Sequence, residues 1–196
     1  MLDSGARKYV QPLFTSIAKK LAKLNITPCQ ITVVALVLGL AGSISFYYDV
    51  RLGALALLWI SGFMDVLDGS VARVTDRISP FGMLMDLIFD RLVEMAFIIV
   101  VALKFLETRL SCVFLLCSII FSFSIFLTVG AVVEKETEKS FYYQAGLAER
   151  TETFIIFSLV ILLPPYTIGL LYAFTAMIVF TGCQRLVEAY RYFGRT

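Results

Sequence analysis

The chain contains no histidine. That removes the side chain most often used as a general base near neutral pH, along with serine–histidine nucleophile pairs and histidine-ligated zinc. Its four cysteines, Cys29, Cys112, Cys117 and Cys183, are scattered through apolar runs without C-x-x-C spacing. They read as small buried hydrophobes, not as a metal site or a disulfide framework. Charge of either sign is scarce: the formal net charge is +2, which gives no electrostatic footprint for nucleic acid. No low-complexity segment and no internal repeat is present. The N-terminus opens on a charged amphipathic stretch instead of an apolar core, so no secretory signal is expected.

What fills the chain is apolar. Hydrophobic residues make up 59% of it and the mean hydropathy is +0.86, against about 45–50% apolar residues in a soluble domain. The expected fold is an all-α integral membrane protein. It has an interfacial amphipathic helix over residues 1–24 and a domain of six transmembrane helices over residues 25–196. In the first segment Leu13, Phe14, Ile17, Leu21 and Leu24 form an apolar stripe, with Lys19, Lys20 and Lys23 off it. Such a helix suits a headgroup interface, or simple packing against the bundle. Thr27 is placed to N-cap the first span, with Pro28 at its first position. Ala35, Gly39 and Ser43 then recur every fourth residue and allow close helix approach. Spans are expected near 31–48, 52–75, 80–103, 110–133, 145–163 and 167–185. Pro164–Pro165 ends the fifth.

The exception to this apolarity is Asp65–Asp90, DVLDGSVARVTDRISPFGMLMDLIFD. A carboxylate at bilayer depth costs about 2.5–3.5 kcal/mol on an insertion scale, so it marks a functional site by default. Asp65 and Asp68 stand at i,i+3, with Gly69 and Ala72 on their face. Gly82, Asp86 and Asp90 follow at i,i+4,i+8. Asp76, Ser79 and Pro80 lie between the two runs, and Pro80 suits the first turn of a new helix. Two helices joined by a short turn would present both acid pairs to one cleft. Clustered carboxylates need positive charge to stay ionised in a dry site. Arg73 and Arg91 supply some, and divalent cations would supply more. An oxygen-only set favours Mg²⁺, Mn²⁺ or Ca²⁺ over zinc.

The spacing Asp65-x-x-Asp68-Gly69-x-x-Ala72-Arg73, eight residues, Gly82-x-x-x-Asp86-x-x-x-Asp90 resembles the motif of the class I CDP-alcohol phosphotransferases (CDP-alcohol phosphatidyltransferases), with every defining position filled. The run TPCQIT at 27–32 resembles the family's TPNQIT, with Cys29 in place of asparagine. The resemblance implies transfer of a phosphatidyl group from a CDP-linked lipid, CDP-diacylglycerol being the expected donor, to a small polar alcohol, with release of CMP. It implies a two-metal site of Mg²⁺ or Mn²⁺ held by Asp65, Asp68, Asp86 and Asp90. Asp90 would be the catalytic base. Asp65, Asp68, Gly69, Ala72, Arg73 and Gly82 would border the CDP moiety. It also implies a homodimer.

For the acceptor, Arg91 directly after Asp90 resembles the inositol-type branches, as does the GLAER run at 146–150. Those branches that use a phosphorylated inositol carry a Lys/Arg-rich stretch at the end of the fourth span. Here residues 130–134 read GAVVE, which weakens that assignment. Arg91, Lys135, Lys139 and Arg150 are the candidates for holding an acceptor phosphate. Inositol, inositol phosphate, glycerol 3-phosphate and serine stay open. Six spans put both termini on one side with Arg7, Lys8, Lys19, Lys20, Lys23, Arg73, Arg77 and the basic residues of the 134–150 loop and C-terminal tail. The other side has Arg51, Lys104 and Arg109. The positive-inside rule then places the termini and the acids at the cytoplasmic face of the cell membrane. The alternative reading is a small metal-ion or solute transporter with an intramembrane carboxylate site.

Overall fold

A computed structural model describes residues 14–136 and 150–194, leaving the side chains of 133–136 undescribed. Among the described residues the regular structure is helical, with no strand. The elements are α1 over 14–23, α2 Pro28–Tyr47, α3 Arg51–Val74, α4 Pro80–Lys104, α5 Arg109–Glu136, α6 Arg150–Leu162 and α7 Thr167–Phe193, with 3₁₀ turns at Leu106–Thr108 and Pro164–Tyr166. They form two compact units, one ending at Leu106 and one starting at Glu107.

Four segments are long and apolar enough to cross a bilayer: Pro28–Tyr47, Arg51–Val74, Leu106–Val132 and Pro164–Phe193. The protein is therefore a multi-pass membrane protein. Two of the six expected spans fall outside this set for different reasons. α4 has 25 residues, about 37 Å at 1.5 Å per residue, but Asp86, Asp90, Arg91 and Glu94 crowd its first and middle turns. α6 has only 13 described residues, about 20 Å. The expected start of that span near Ala145 lies outside the described residues.

In the first unit α1 packs on the bundle. Phe14 and Ala18 are buried in a cluster with Ile31 of α2 and Leu67 and Val71 of α3, and Ile17 and Leu21 pack against it. The Phe14 and Phe63 ring centroids are 4.9 Å apart. Lys19, Lys20 and Lys23 are exposed, as the stripe predicts. Leu24 departs from it and is 69% exposed. The helix has already ended there, and Asn25 turns the chain away with φ 58°. Residues 1–13, including Leu13, lie outside the described residues.

Asn25, Asp49 and Asp76 are the described residues with left-handed backbone, φ 58°, 62° and 52°. Each follows a helix end, and the next N–H bonds back to an earlier carbonyl: Ile26 to Leu21 O at 3.3 Å, Val50 to Ser45 O at 2.9 Å, Arg77 to Ala72 O at 2.9 Å. Each of these bonds spans five residues, the 6→1 Schellman closure, here built on Asn and Asp in place of the more usual glycine. Asp76 thus has a local structural reason to be polar.

The helix starts behave as read. Thr27 N donates to Gln30 Oε1 at 2.9 Å, while Gln30 N donates to Thr27 Oγ1 at 3.4 Å, a reciprocal capping box around Pro28. Ser79 caps α4 by accepting from Gly82 N at 3.0 Å, with Pro80 next.

α2 packs against both α3 and α4, and among the described residues α3 and α4 make no comparable contact with each other. The small residues sit where α2 meets its neighbours. Ser61 Oγ donates to Ala35 O at 2.7 Å. A Cβ on Gly39 would stand 2.6 and 2.7 Å from the Val93 methyls and 3.0 Å from Ser61 Oγ. At the far end of α2, Phe46 stacks on Phe97 at 5.5 Å, and Lys104 Nζ reaches Asp49 Oδ2 at 2.8 Å and Tyr47 O at 3.1 Å. Lys104 holds the exposed Asp49 carboxyl below its ordinary 3.8. Because the folded value is the lower one, this contribution is present above the unfolded pKa and is lost as pH falls through the folded one.

The second unit is built the same way. α5 and α7 meet at Gly182, where a Cβ would lie 2.7 Å from Phe121 Cε1. Arg185 Nη1 donates to Ser122 Oγ at 3.3 Å and the guanidinium lies 5.3 Å from the Phe126 ring. α6 joins α7 through an edge-on Phe157–Phe174 contact at 6.3 Å.

Gly39→Ala should lower the thermal unfolding midpoint in detergent, at a cost of about 1–3 kcal/mol for an overpacked methyl. An unchanged midpoint would show that Val93 can move aside and that the contact is not tight.

Candidate metal centre

The acids of α3 and α4 face each other where those two helices part. Asp65, Asp68 and Asp86 each offer a carboxylate oxygen, and the three atoms all lie within 4.8 Å of one another. Oxygens held by one cation at about 2.0–2.1 Å can be no more than about 4.2 Å apart. Closing the trio on a divalent ion therefore requires the three oxygens to draw closer together than that 4.8 Å bound. The donor set is anionic and purely oxygen, which fits Mg²⁺ or Mn²⁺.

Asp68 is the most deeply set, 6% exposed, while Asp65 and Asp86 are half-buried. Its Oδ2 accepts a hydrogen bond from Thr32 Oγ1 of α2 at 2.6 Å. Asp90 is half-buried and does not belong to the trio. It stands one turn further along α4, about 6 Å of rise from Asp86. Of the four expected carboxylates, Asp65, Asp68 and Asp86 are the ones grouped within 4.8 Å of one another.

The small residues of the motif divide into two kinds. A Cβ on Gly69 would meet only the Arg73 guanidinium, at 3.5 and 4.0 Å, which is ordinary contact. Intramolecular packing therefore does not require glycine there, and the bare face is open to a ligand. A Cβ on Gly82 would press on the Ser79 capping hydroxyl at 3.0 Å, so that glycine has a structural reason. Ala72 is half-buried. Arg73 is exposed and donates from Nη2 to Ser70 Oγ at 3.1 Å, which lays its guanidinium over Gly69.

Of the residues assigned to an acceptor, Arg91 pairs with Glu94 one turn on, Nη1 to Oε2 at 2.6 Å. Arg150 opens α6 in the other unit, its guanidinium 5.6 Å from the Phe154 ring. The Lys135 side chain and all of Lys139 lie outside the described residues.

Two residues of this neighbourhood escaped the sequence reading. Glu94, 6% exposed, extends the Gly82, Asp86, Asp90 series by one more step of four. That periodicity was the available signal. Thr32 closes the TPCQIT run, but nothing in one sequence says that α2 turns it toward Asp68.

The comparisons with known proteins agree with one another. The CDP-alcohol phosphatidyltransferase family model matches residues 25–184. The archaetidylinositol phosphate synthase of Pyrococcus horikoshii is 34% identical over 96% of this chain and 96% of its own length. The phosphatidylinositol phosphate synthase of Corynebacterium glutamicum is 27% identical over 96% of this chain and 89% of its own. A crystal structure of the Mycobacterium tuberculosis phosphatidylinositol phosphate synthase with CDP-DAG bound superposes with TM-score 0.71 at 22% identity, covering 91% of this chain and 94% of that one. A second crystal structure of that enzyme, in complex with manganese and citrate, gives TM-score 0.69 at 22% identity, covering 90% of this chain and 88% of that one.

Asp86→Asn should weaken Mn²⁺ binding, read by electron paramagnetic resonance of the free ion, by more than the roughly 10–100-fold that loss of an outer partner costs. Wild-type affinity in that variant would remove Asp86 from the ligand set.

Proposed function

The chain belongs to the CDP-alcohol phosphatidyltransferase family, and from that premise we propose that it transfers the phosphatidyl group of a CDP-linked lipid to a phosphorylated inositol, releasing CMP, in phospholipid synthesis. The observation that carries the metal-dependent chemistry is the trio Asp65, Asp68 and Asp86, one oxygen of each within 4.8 Å of the others. The enzyme works with Mg²⁺ or Mn²⁺. The manganese in the similar mycobacterial structure supports this choice.

The acceptor reading rests on names and on balance. Two relatives of nearly full coverage are an archaetidylinositol phosphate synthase and a phosphatidylinositol phosphate synthase. Transfer from a CDP-lipid places one phosphate between lipid and inositol, so the second phosphate of such a product arrives with the acceptor. The missing basic residues at 130–134 are then made good elsewhere. Arg91, held by Glu94, is the acceptor cation within the first unit, and Arg150, Lys135 and Lys139 are the further candidates.

Mechanistically, the acceptor hydroxyl oxygen attacks the phosphorus that stays with the lipid, and the bond from that phosphorus to the bridging oxygen breaks. The electron pair leaves on CMP. A divalent cation held by Asp65, Asp68 and Asp86 supplies charge neutralisation for the diphosphate. Asp90, one turn from Asp86 on the same helix, takes the hydroxyl proton. Gly69 and Ala72 let the nucleotide approach the α3 backbone closely. Arg73 reaches phosphate by swinging off Gly69, and Gly82 borders the same pocket.

The protein spans the cytoplasmic membrane six times, with α4 and an α6 extended toward Ala145 as the two less apolar spans. Both termini and the acids face the cytoplasm, supported by the distribution of Lys and Arg. Residues 1–24 form an interfacial helix and 25–196 the transferase domain. It acts as a homodimer, a reading supported by the family resemblance alone, since Ala35 and Gly39 are engaged within the chain. Family membership leaves the transporter reading without an observation of its own.

Three measurements test this. Purified enzyme with Mn²⁺ and CDP-diacylglycerol should release CMP with inositol phosphate and not with inositol, glycerol 3-phosphate or serine. A preference for any of the last three overturns the acceptor assignment. Asp90→Asn should lower turnover by about 10²–10⁴ while CDP-lipid binding persists, and full activity would exclude Asp90 as the base. Gly69→Ala should keep the thermal midpoint and weaken CDP-lipid binding. Unaltered binding would mean that the nucleotide does not approach that face.

A further inference from the structure

We propose that Thr32 is a positioning residue for the metal centre, its hydroxyl holding the most buried carboxylate of the trio in the orientation that faces Asp65 and Asp86. The inference rests on the reading of the trio as a divalent-cation site.

Thr32 is 5% exposed and donates to Asp68 Oδ2 at 2.6 Å across 36 residues of sequence. That length is in the 2.5–2.7 Å range of roughly doubled strength for a hydroxyl on an ionised carboxylate. The same Oγ1 lies 3.0 Å from Pro28 O. A threonine hydroxyl has one proton for these two acceptors, and the shorter contact to the charged group takes it. The Pro28 contact shows which rotamer the hydroxyl occupies. In a helix the β-branched side chain has only two such choices, both with the hydroxyl turned toward the preceding turn.

The donor is held from both sides along its own helix. One turn before it, α2 is started by the Thr27–Gln30 capping box and Pro28. One turn after it, Ala35 O accepts the 2.7 Å hydrogen bond from Ser61 of α3. Ile31, Leu67 and Val71, the chain neighbours or near neighbours of the pair, are buried in a single cluster. α2 therefore cannot shift against α3 to release Asp68 without disturbing apolar packing. A carboxylate has about four lone-pair sites, so accepting the Thr32 hydrogen bond is compatible with ligating a cation. The bond removes rotational freedom that a cation would otherwise have to quench on binding. Outer partners of this kind commonly change metal affinity 10–100-fold.

The test uses the full chain in detergent with Mn²⁺ alone, no nucleotide and no lipid, and reads free Mn²⁺ by electron paramagnetic resonance. Thr32→Val, which keeps shape and loses the donor, should weaken Mn²⁺ binding about 10–100-fold, and Thr32→Ser should restore it to within a few fold. Should the valine variant fail to fold, Thr32→Ser against Thr32→Ala gives the same comparison, with and without the hydroxyl. Equal Mn²⁺ affinity with and without the hydroxyl overturns the proposal. Asp68→Asn separates the two levels. If it abolishes binding while loss of the hydroxyl changes nothing, Thr32 alone is misassigned. If it leaves binding intact, the trio is not the cation site and the inference falls with it.

Discussion

Three carboxylates from two helices come within 4.8 Å of one another at the ends of their side chains, and the first unit is arranged around that juxtaposition. At an effective dielectric of about 20, two unit charges 5 Å apart repel by about 3 kcal/mol. α3 and α4 have little direct contact to oppose this. The restraint comes from α2, which touches both. Its glycine at 39 lets Val93 of α4 and Ser61 of α3 come to the same point, and its Thr32 takes hold of Asp68. A divalent cation bound there would turn repulsion between the acids into shared attraction.

The same arrangement sets the composition of the bundle. In a bilayer, apolar side chains gain nothing by leaving lipid for protein, so helices associate through close packing and hydrogen bonds between them. Gly39, Gly42 and Gly182 all stand where another helix arrives, and a Cβ on any of them would crowd it. The left-handed helix ends are left to Asn25, Asp49 and Asp76, whose short polar side chains tolerate that backbone and sit outside the apolar spans. Glycine is thus kept for approach and Asn/Asp for turning.

Charged side chains and membrane insertion compete most openly in α4. Asp86, Asp90, Arg91 and Glu94 take successive turns of one helix, and these charges keep it from the set of plainly apolar spans. Part of the burden is met within the helix, where Arg91 and the buried Glu94 neutralise each other at 2.6 Å. An ionised pair also holds its arginine in a defined place, which an isolated arginine on a flexible stem would lack. In the second unit no acidic cluster exists among the described residues, and aromatic contacts of Phe114, Phe121 and Phe157 with α7 carry the packing.

The sequence by itself determined what depends on local spacing. Helical periodicity put Asp65, Asp68 and Asp86 on facing stripes, Thr27–Pro28 and Ser79–Pro80 marked helix starts, and the apolar runs marked spans, because each of these signals is complete within a turn or two. The grouping of three acids apart from Asp90, the hold of Thr32 on Asp68, the different reasons for Gly69 and Gly82, and the exposure of Leu24 were decided only by the tertiary structure. Each depends on the angle and depth at which a second helix arrives. A one-dimensional pattern records which face a side chain takes, not which neighbour meets it or at what distance.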